Sequence, residues 1–302
     1  MKVLSLTEPY ATLIKEKKKL IETRSWKTNY RGELYIHASM TPISKTTKED
    51  NKLFSLINDS KLNFGHIICK CNLVDCIYMT KEYVENMKRN NYLEYICGGY
   101  EVGRYAWVLE NIEPIKPIKA KGQLNIWDHY NEFEVMSLMD NIEYGWMDNE
   151  GNKHKIIDNS YSDNYILQSP KEIIKNKVGV CWDQVELERY YFKGNIWNIR
   201  TYFIVHYDND KYPTHTFLTF EKNNKYYWFE HSWEKLKGIH EYSSLEDLLI
   251  DVRNKFIKYE LNNNYNKNNL CIYYYKKPNF HINALEFYKH CESGINILLE
   301  KK

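Results

Sequence analysis

Glycine and proline are scarce in this chain, 12 and 7 among 302 residues. Disordered and collagen-like chains are rich in one or both, so the scarcity argues for packed, globular structure. An excess of one charge sign is missing too. Lysine and arginine number 42 against 40 aspartates and glutamates, so the protein as a whole is no polyelectrolyte. No apolar run approaches the length of a membrane span, and no secretory hydrophobic segment opens the sequence. The expectation is a cytoplasmic protein with reduced thiols and no membrane association. Paired C-x-x-C knuckles are absent from the seven cysteines, at 69, 71, 76, 97, 181, 271 and 291. Cys69 and Cys71 instead fall on one face of an alternating, strand-like run, where core packing is the expected role. P-loops, dinucleotide fingerprints and internal repeats are also lacking. No metal or organic cofactor is therefore expected. What the chain has in quantity is aromatic surface to bury, with 27 Tyr, 11 Phe and 8 Trp, and length enough for two ordinary domains.

One stretch organises the second half: Lys177-Val178-Gly179-Val180-Cys181-Trp182-Asp183-Gln184. Glycine breaks the chain just before a cysteine, and from there the residues read as a helix. Trp182, Val185, Leu187 and Tyr190 supply its apolar sides. A thiol at a helix start meets unpaired N–H groups and the positive end of the macrodipole, which favour thiolate. Asp183, Glu186 and Glu188 work against the thiolate, so they are expected to point away. A lone cysteine is more often a small buried hydrophobe, but this one has companions. Three strand-like segments follow, holding Tyr202 to Val205, His215 to Phe220 and Tyr226 to Glu230. Thiol catalysis needs a base beside the thiol and an acid to orient the base. Cys181, His215 and Glu230 supply them in the order Cys, His, acid.

Asn223-Asn224 marks the turn between the second and third segments, because asparagine tolerates the positive φ of tight hairpins. An even loop centred there pairs residues whose numbers sum to 447. Glu230 then falls on the face of His215 as its diagonal neighbour, and His231 on the opposite face.

Gly179-Val180-Cys181-Trp182, His215-Thr216-Phe217 and Trp228-Phe229-Glu230-His231 resemble the transglutaminase-like superfamily, from about Asn131 to the end. Glu230 stands where that family has an aspartate. The resemblance implies a papain-like α+β domain and a cysteine enzyme, a protease, hydrolase or acyltransferase. Its substrate would be a protein, a peptide or a small amide.

The first half reads as several strands with short helices between them, a small barrel in an α+β unit. Lys2 to Leu6 opens it, and a helix with Pro9 in its first turn follows. Further strands are expected at Leu20 to Trp26, Glu33 to Ala38, His66 to Ile77 and Tyr105 to Ile112. Helices are expected near Lys45 to Ile57 and Lys81 to Tyr95. Glu22 and Arg24 share a strand face, which by itself is as often a surface ion pair as a recognition site. Residues 1–31 carry eight basic against three acidic side chains, interleaved with Tyr10, Trp26 and Tyr30. Such a stretch can follow phosphates and stack bases, or serve as a solvated helix end.

Ser5-Leu6-Thr7-Glu8-Pro9-Tyr10-Ala11, Glu22-Thr23-Arg24-Ser25-Trp26 and Arg31-Gly32-Glu33-Leu34-Tyr35-Ile36-His37 resemble the ASCH domain, a PUA-like β-barrel. Gly65-His66-Ile67-Ile68 and Tyr105 to Leu109 continue the likeness to about residue 128. It implies binding of RNA or modified nucleosides in the cleft beside Glu22 and Arg24, and the expectation is a site for RNA, a nucleotide or a related ligand at Lys19, Glu22, Arg24 and Trp26. Some relatives hydrolyse acetylated cytidine with a lysine and a threonine three residues later. Lys19 matches the lysine, but Glu22 replaces the threonine, so that activity is not carried over. The expected organisation is therefore residues 1–130 as an ASCH-like domain and 131–302 as a transglutaminase-like one. The competing reading is a non-catalytic RNA- or nucleoside-binding protein whose papain-like half only holds a partner.

Overall fold

The computed structural model describes residues 1–43, 51–57, 62–207, 212–261 and 265–299. The chain forms two compact units, Met1–Tyr130 with Gly194–Ile196, and Asn131–Lys193 with Trp197–Lys302.

Six strands build the first unit: β1 Lys2–Leu6, β2 Ile21–Arg24, β3 Gly32–Ala38, β4 His66–Tyr78, β5 Tyr105–Lys119 and β6 Ile126–Asp128. Their order is β2-β5-β4-β3-β1-β6, with only the β1–β3 pair parallel. The pairing of β4 with β5 slips at three places, between Ile67 and Cys69, Lys70 and Asn72, and Leu73 and Asp75. Each bulge adds twist, which curls the sheet over Leu4, Leu34, Ile36, Cys69, Cys71 and Trp107. Helix Tyr10–Lys15 adds Ala11 and Ile14 to the same core.

A small barrel was the expectation, and the sheet is a curled half-barrel, in keeping with a PUA-like unit. It ends at β2 and β6, and among the described residues no ladder joins them. β2 is only four residues long and covers β5 no further than Val108. β5 itself runs past the expected end at Ile112 to Lys119, through Pro114 and Pro117. Beyond Val108 it lies at a sheet edge, where proline is tolerated. The helix expected from Lys81 to Tyr95 is two, Lys81–Asn90 and Tyr92–Ile96, because Asn91 leaves helical geometry at φ −140°, ψ 60°. Of the helix expected near Lys45 to Ile57, Asn51–Ser55 is helical, and residues 45–50 lie outside the described residues.

In the second unit an antiparallel pair, β7 Trp146–Met147 and β8 Lys153–His154, precedes a wholly antiparallel sheet of β9 Arg200–His206, β10 Thr214–Lys222, β11 Lys225–Glu230, β12 Gly238–Tyr242, β13 Leu270–Tyr275 and β14 Ile295–Asn296, in the order β12-β11-β10-β9-β13-β14. Period-2 alternation along β9 sorts two cores. Phe203 and Val205 face Trp182 and Val185 of helix Cys181–Phe192 and Phe287 of helix Ala284–Glu292. Tyr202 and Ile204 face Leu248, Leu249, Val252 and Phe256 of helix Leu245–Tyr259. Helices thus cover both faces of the sheet. Among the described residues no helix is long and apolar enough to cross a membrane.

The hairpin between β10 and β11 turns on Asn223 and Asn224, both left-handed at φ 54° and 60°. Lys222 pairs with Lys225 and the ladder runs to Leu218 opposite Phe229, so paired numbers sum to 447 throughout. Replacing Asn224 by Gly should leave stability nearly unchanged, whereas Asn224→Val should cost about 1–2 kcal/mol by straining a left-handed residue. Urea unfolding measures both, and a neutral valine would show that the turn does not set the register.

Candidate active site and ligand cleft

Helix Cys181–Phe192 starts where it does because the preceding loop is pinned on several sides. The Gly179 N–H donates to Glu143 O at 3.1 Å, and Gln168 Nε2 donates to Val178 O at 2.9 Å. Asp183 accepts from the Val180 N–H at 3.2 Å and from the Gln168 N–H at 3.0 Å. Gly179 has to be glycine: a Cβ there would lie 2.7 Å from Cβ of Asp183. The chain then enters the helix at Cys181, whose thiol lines a cavity of about 710 Å³. Trp182, Tyr144, Tyr161, Tyr207, Tyr212 and Tyr288 give that cavity aromatic walls, and Glu260 also lines it. Ile157, Tyr161 and Ser162 come from the polar stretch that precedes the helix.

The acidic residues of this helix, expected from sequence to point away from the thiol, are all buried: Asp183, Glu186 and Glu188. The helix is enclosed on every side through its first two turns, so its charges have no solvent face to occupy. Each is handled differently. Burial pushes the Asp183 carboxyl up to about 7, against the backbone N–H groups that favour its anion. Glu186 pairs with Arg189 at 3.0 Å. Burial also drives Glu188 well above the ordinary carboxylate range, and the negative charge of Glu230 adds to the shift.

His215 and Glu230 meet. The imidazole Nε2 lies 2.8 Å from Glu230 Oε2, with both side chains buried. Glu230 is itself fixed, because Oε1 accepts from Ser232 Oγ at 3.0 Å and from the Trp233 N–H at 2.8 Å. The Trp233 indole packs against the imidazole at a tilt, ring centroids 4.8 Å apart. Burial alone would lower the His215 pKa. The charge of Glu230 outweighs it, the Cys181 thiol adds in the same direction, and the result is about 10. With Nε2 engaged by the carboxylate, Nδ1 is the ring nitrogen left for the thiol. Past Glu230 the chain leaves the ladder, and His231 turns elsewhere. Its Nδ1 bonds Gln184 Oε1 at 2.7 Å, and Nε2 lies 3.4 Å from Asp140. Gln184, which also donates to Gly179 O at 2.8 Å, was not singled out from sequence. Its spacing of three from Cys181 is the signal that was there to find.

In the first unit, Lys19, Glu22 and Arg24 line a cleft of about 300 Å³. Glu22 is shared: Oε1 lies 3.0 Å from Arg24 Nε and Oε2 lies 3.5 Å from Lys19 Nζ. The buried Lys19 ammonium also donates to Ile21 O at 2.6 Å, and Arg24 donates to Ser5 O at 3.3 Å. Trp26 does not line the cleft; it packs edge-on against Trp107 at 4.6 Å. Gly98, Gly99, Thr23 and Arg104 do, and sequence reasoning missed them. The Gly98-Gly99 pair was a visible signal. Arg104 gave none, because only the pairing of β2 with β5 brings it near Thr23.

Comparison with known proteins reaches the first unit. The ASCH domain family model matches residues 4–119, and this part of the chain is an ASCH domain. Two crystal structures are similar, both of the ASCH protein of Zymomonas mobilis, one of them a point mutant. The mutant is 17% identical, covers 47% of this chain and 82% of its own, and has a TM-score of 0.26. The unmutated form is also 17% identical, with 47% and 80% covered and a TM-score of 0.26. No curated protein matches the chain.

The geometry of the His215–Glu230 pair predicts a pH signature. The folded pKa of His215 lies above its ordinary 6.5, so the pair's contribution to stability is fully present below about 6.5 and is lost as pH rises through about 10. Glu230→Gln removes the charge that raises the ring, while burial, which lowers it, remains. The imidazole of that variant should titrate below 6.5, read from its NMR shifts. A titration unmoved by the substitution would rule out Glu230 as the orienting acid.

Proposed function

We propose that the second unit is a thiol-dependent hydrolase or acyltransferase acting on amide or isopeptide bonds through Cys181, His215 and Glu230, in a papain-like domain of transglutaminase type. The observation that carries this reading is the buried 2.8 Å His215–Glu230 contact, acting on the same imidazole as a thiol that lines a large cavity. A structural ion pair has no need of a neighbouring thiol or of an open path to one.

In this reading Glu230 holds His215 as imidazolium opposite the Cys181 thiolate. The sulfur attacks the carbonyl carbon of the substrate, the C–S bond forms, and the carbonyl π electrons move to oxygen. The backbone N–H of Cys181 donates to that oxyanion. On collapse the C–N bond breaks and His215 gives its proton to the leaving amine. Water or a second amine then attacks the thioester carbonyl and His215 takes up its proton; collapse breaks the C–S bond, releases the acyl product and restores the thiolate–imidazolium pair.

Iodoacetamide near neutral pH, with labelled cysteines mapped by mass spectrometry, tests the thiol. Burial pushes Cys97 to about 11 and Cys71 to about 12, and Cys69 and Cys291 higher still, so competition comes from Cys76 and Cys271. Cys181 should label fastest and slow roughly tenfold or more in His215→Ala, where the thiolate loses its partner. Turnover of an acyl-trapping substrate should vanish in Cys181→Ala and in His215→Ala alike, and the double variant should be little worse. Labelling of Cys181 no faster than of Cys76 would leave only a partner-binding module.

The ASCH unit, in the same proposal, binds RNA or a nucleotide. Support comes from the cationic side chains of the cleft and the basic excess of residues 1–31. The full chain should bind short RNA with affinity that falls as salt rises, and Arg24→Gln should weaken binding more than replacement of the exposed Lys81. Binding indifferent to salt would point away from a phosphate-bearing ligand.

A further inference from the structure

The cleft of the first unit continues into a second cavity of about 480 Å³, and the two share Ser5, Leu6, Thr7 and Arg24. The compartments differ in chemistry. The inner one holds Lys19, Arg24 and Arg104 against a single acid, Glu22, which is already divided between Lys19 and Arg24. Arg104 has no carboxylate within 4 Å among the described residues. Its Nη2 donates to Thr23 O at 3.3 Å, while its Nε is buried without a partner. A guanidinium in that condition is a standing site for an anion.

The outer compartment combines apolar and polar side chains. Met40 and Leu124 both line it while 72% and 89% exposed. Gln123 and Asn125, on either side of Leu124 in the 121–125 loop, line it as well. Gly122 lets this loop lie directly on the floor: a Cβ there would stand 2.7 Å from His37 Cε1 and 3.1 Å from Ser5 Oγ. His37 is held below by Ser5 Oγ and Ala120 O, each at 3.2 Å.

We infer that the two compartments form one site for a mononucleotide, with the phosphate against Arg104 and the base between Met40 and Leu124. This rests on the nucleotide-binding reading of the ASCH unit and narrows it to a ligand, its orientation and its size. Phosphate matches the unpaired guanidinium, and a heterocycle with polar edges matches a compartment of apolar side chains and amides.

The experiment is calorimetric titration of the full chain with each ribonucleoside 5′-monophosphate, the matching nucleosides, inorganic phosphate and a short RNA. At least one monophosphate should bind roughly tenfold or more tightly than its nucleoside or phosphate alone. Arg104→Gln should remove that advantage while leaving nucleoside affinity unchanged. Leu124→Ser, at a position too exposed to disturb folding, should weaken nucleoside and monophosphate together and leave inorganic phosphate alone. A monophosphate no tighter than inorganic phosphate, with salt-dependent RNA binding intact, overturns this site and leaves the RNA reading standing. If neither RNA nor any monophosphate binds, both fall.

Discussion

A buried charge pair governs the second unit. His215 and Glu230 lie in a sheet interior where either alone would be driven neutral, and they stay ionised only because each is the other's counter-charge. The pair therefore depends on everything that keeps it at 2.8 Å: the two-asparagine turn, the unbroken ladder from Lys222 to Leu218, and the chain reversal that ties Glu230 to Ser232 and Trp233. A one-residue slip in that hairpin would send Glu230 to the other face of the sheet. The fold and the chemistry share one constraint of register.

The helix that carries Cys181 shows the converse strategy. Its acids are buried, and burial raises their carboxyls against what pairing and hydrogen bonding offer. Asp183 serves the helix start through two backbone N–H groups, Glu186 pairs with Arg189, and Glu188 is driven well above the ordinary carboxylate range.

In the first unit the decisive feature is a sheet that curls without closing. A completed ladder between β2 and β6 would have paired the edge from which Glu22 and Arg24 reach the cleft. Short β2 and the bulges of β4 leave the opening, and Arg24 reaches Ser5 O by a side-chain bond. Recognition surface here comes from a sheet that stops early.

Much was legible from local chemistry. Asn223-Asn224 fixed an even hairpin because few residues tolerate two consecutive left-handed positions, and the register with the shared face of His215 and Glu230 followed. Glycine before Cys181 signalled the helix start, and the residues around Glu22 and Arg24 signalled the ASCH domain. What sequence left undecided depended on packing from every side. Helical spacing can tell an apolar stripe from a polar one, but it cannot say that a helix is enclosed all round, so the fates of Asp183, Glu186 and Glu188 waited for the structure. Closure of a sheet depends on twist summed over many strands, which is why a half-barrel read as a barrel. Trp26 left the cleft for Trp107, and Arg104 entered it, because a side chain's neighbours across a sheet are set by pairing between segments some eighty residues apart. Local sequence chose the residues able to act, and only the tertiary fold chose which of them meet.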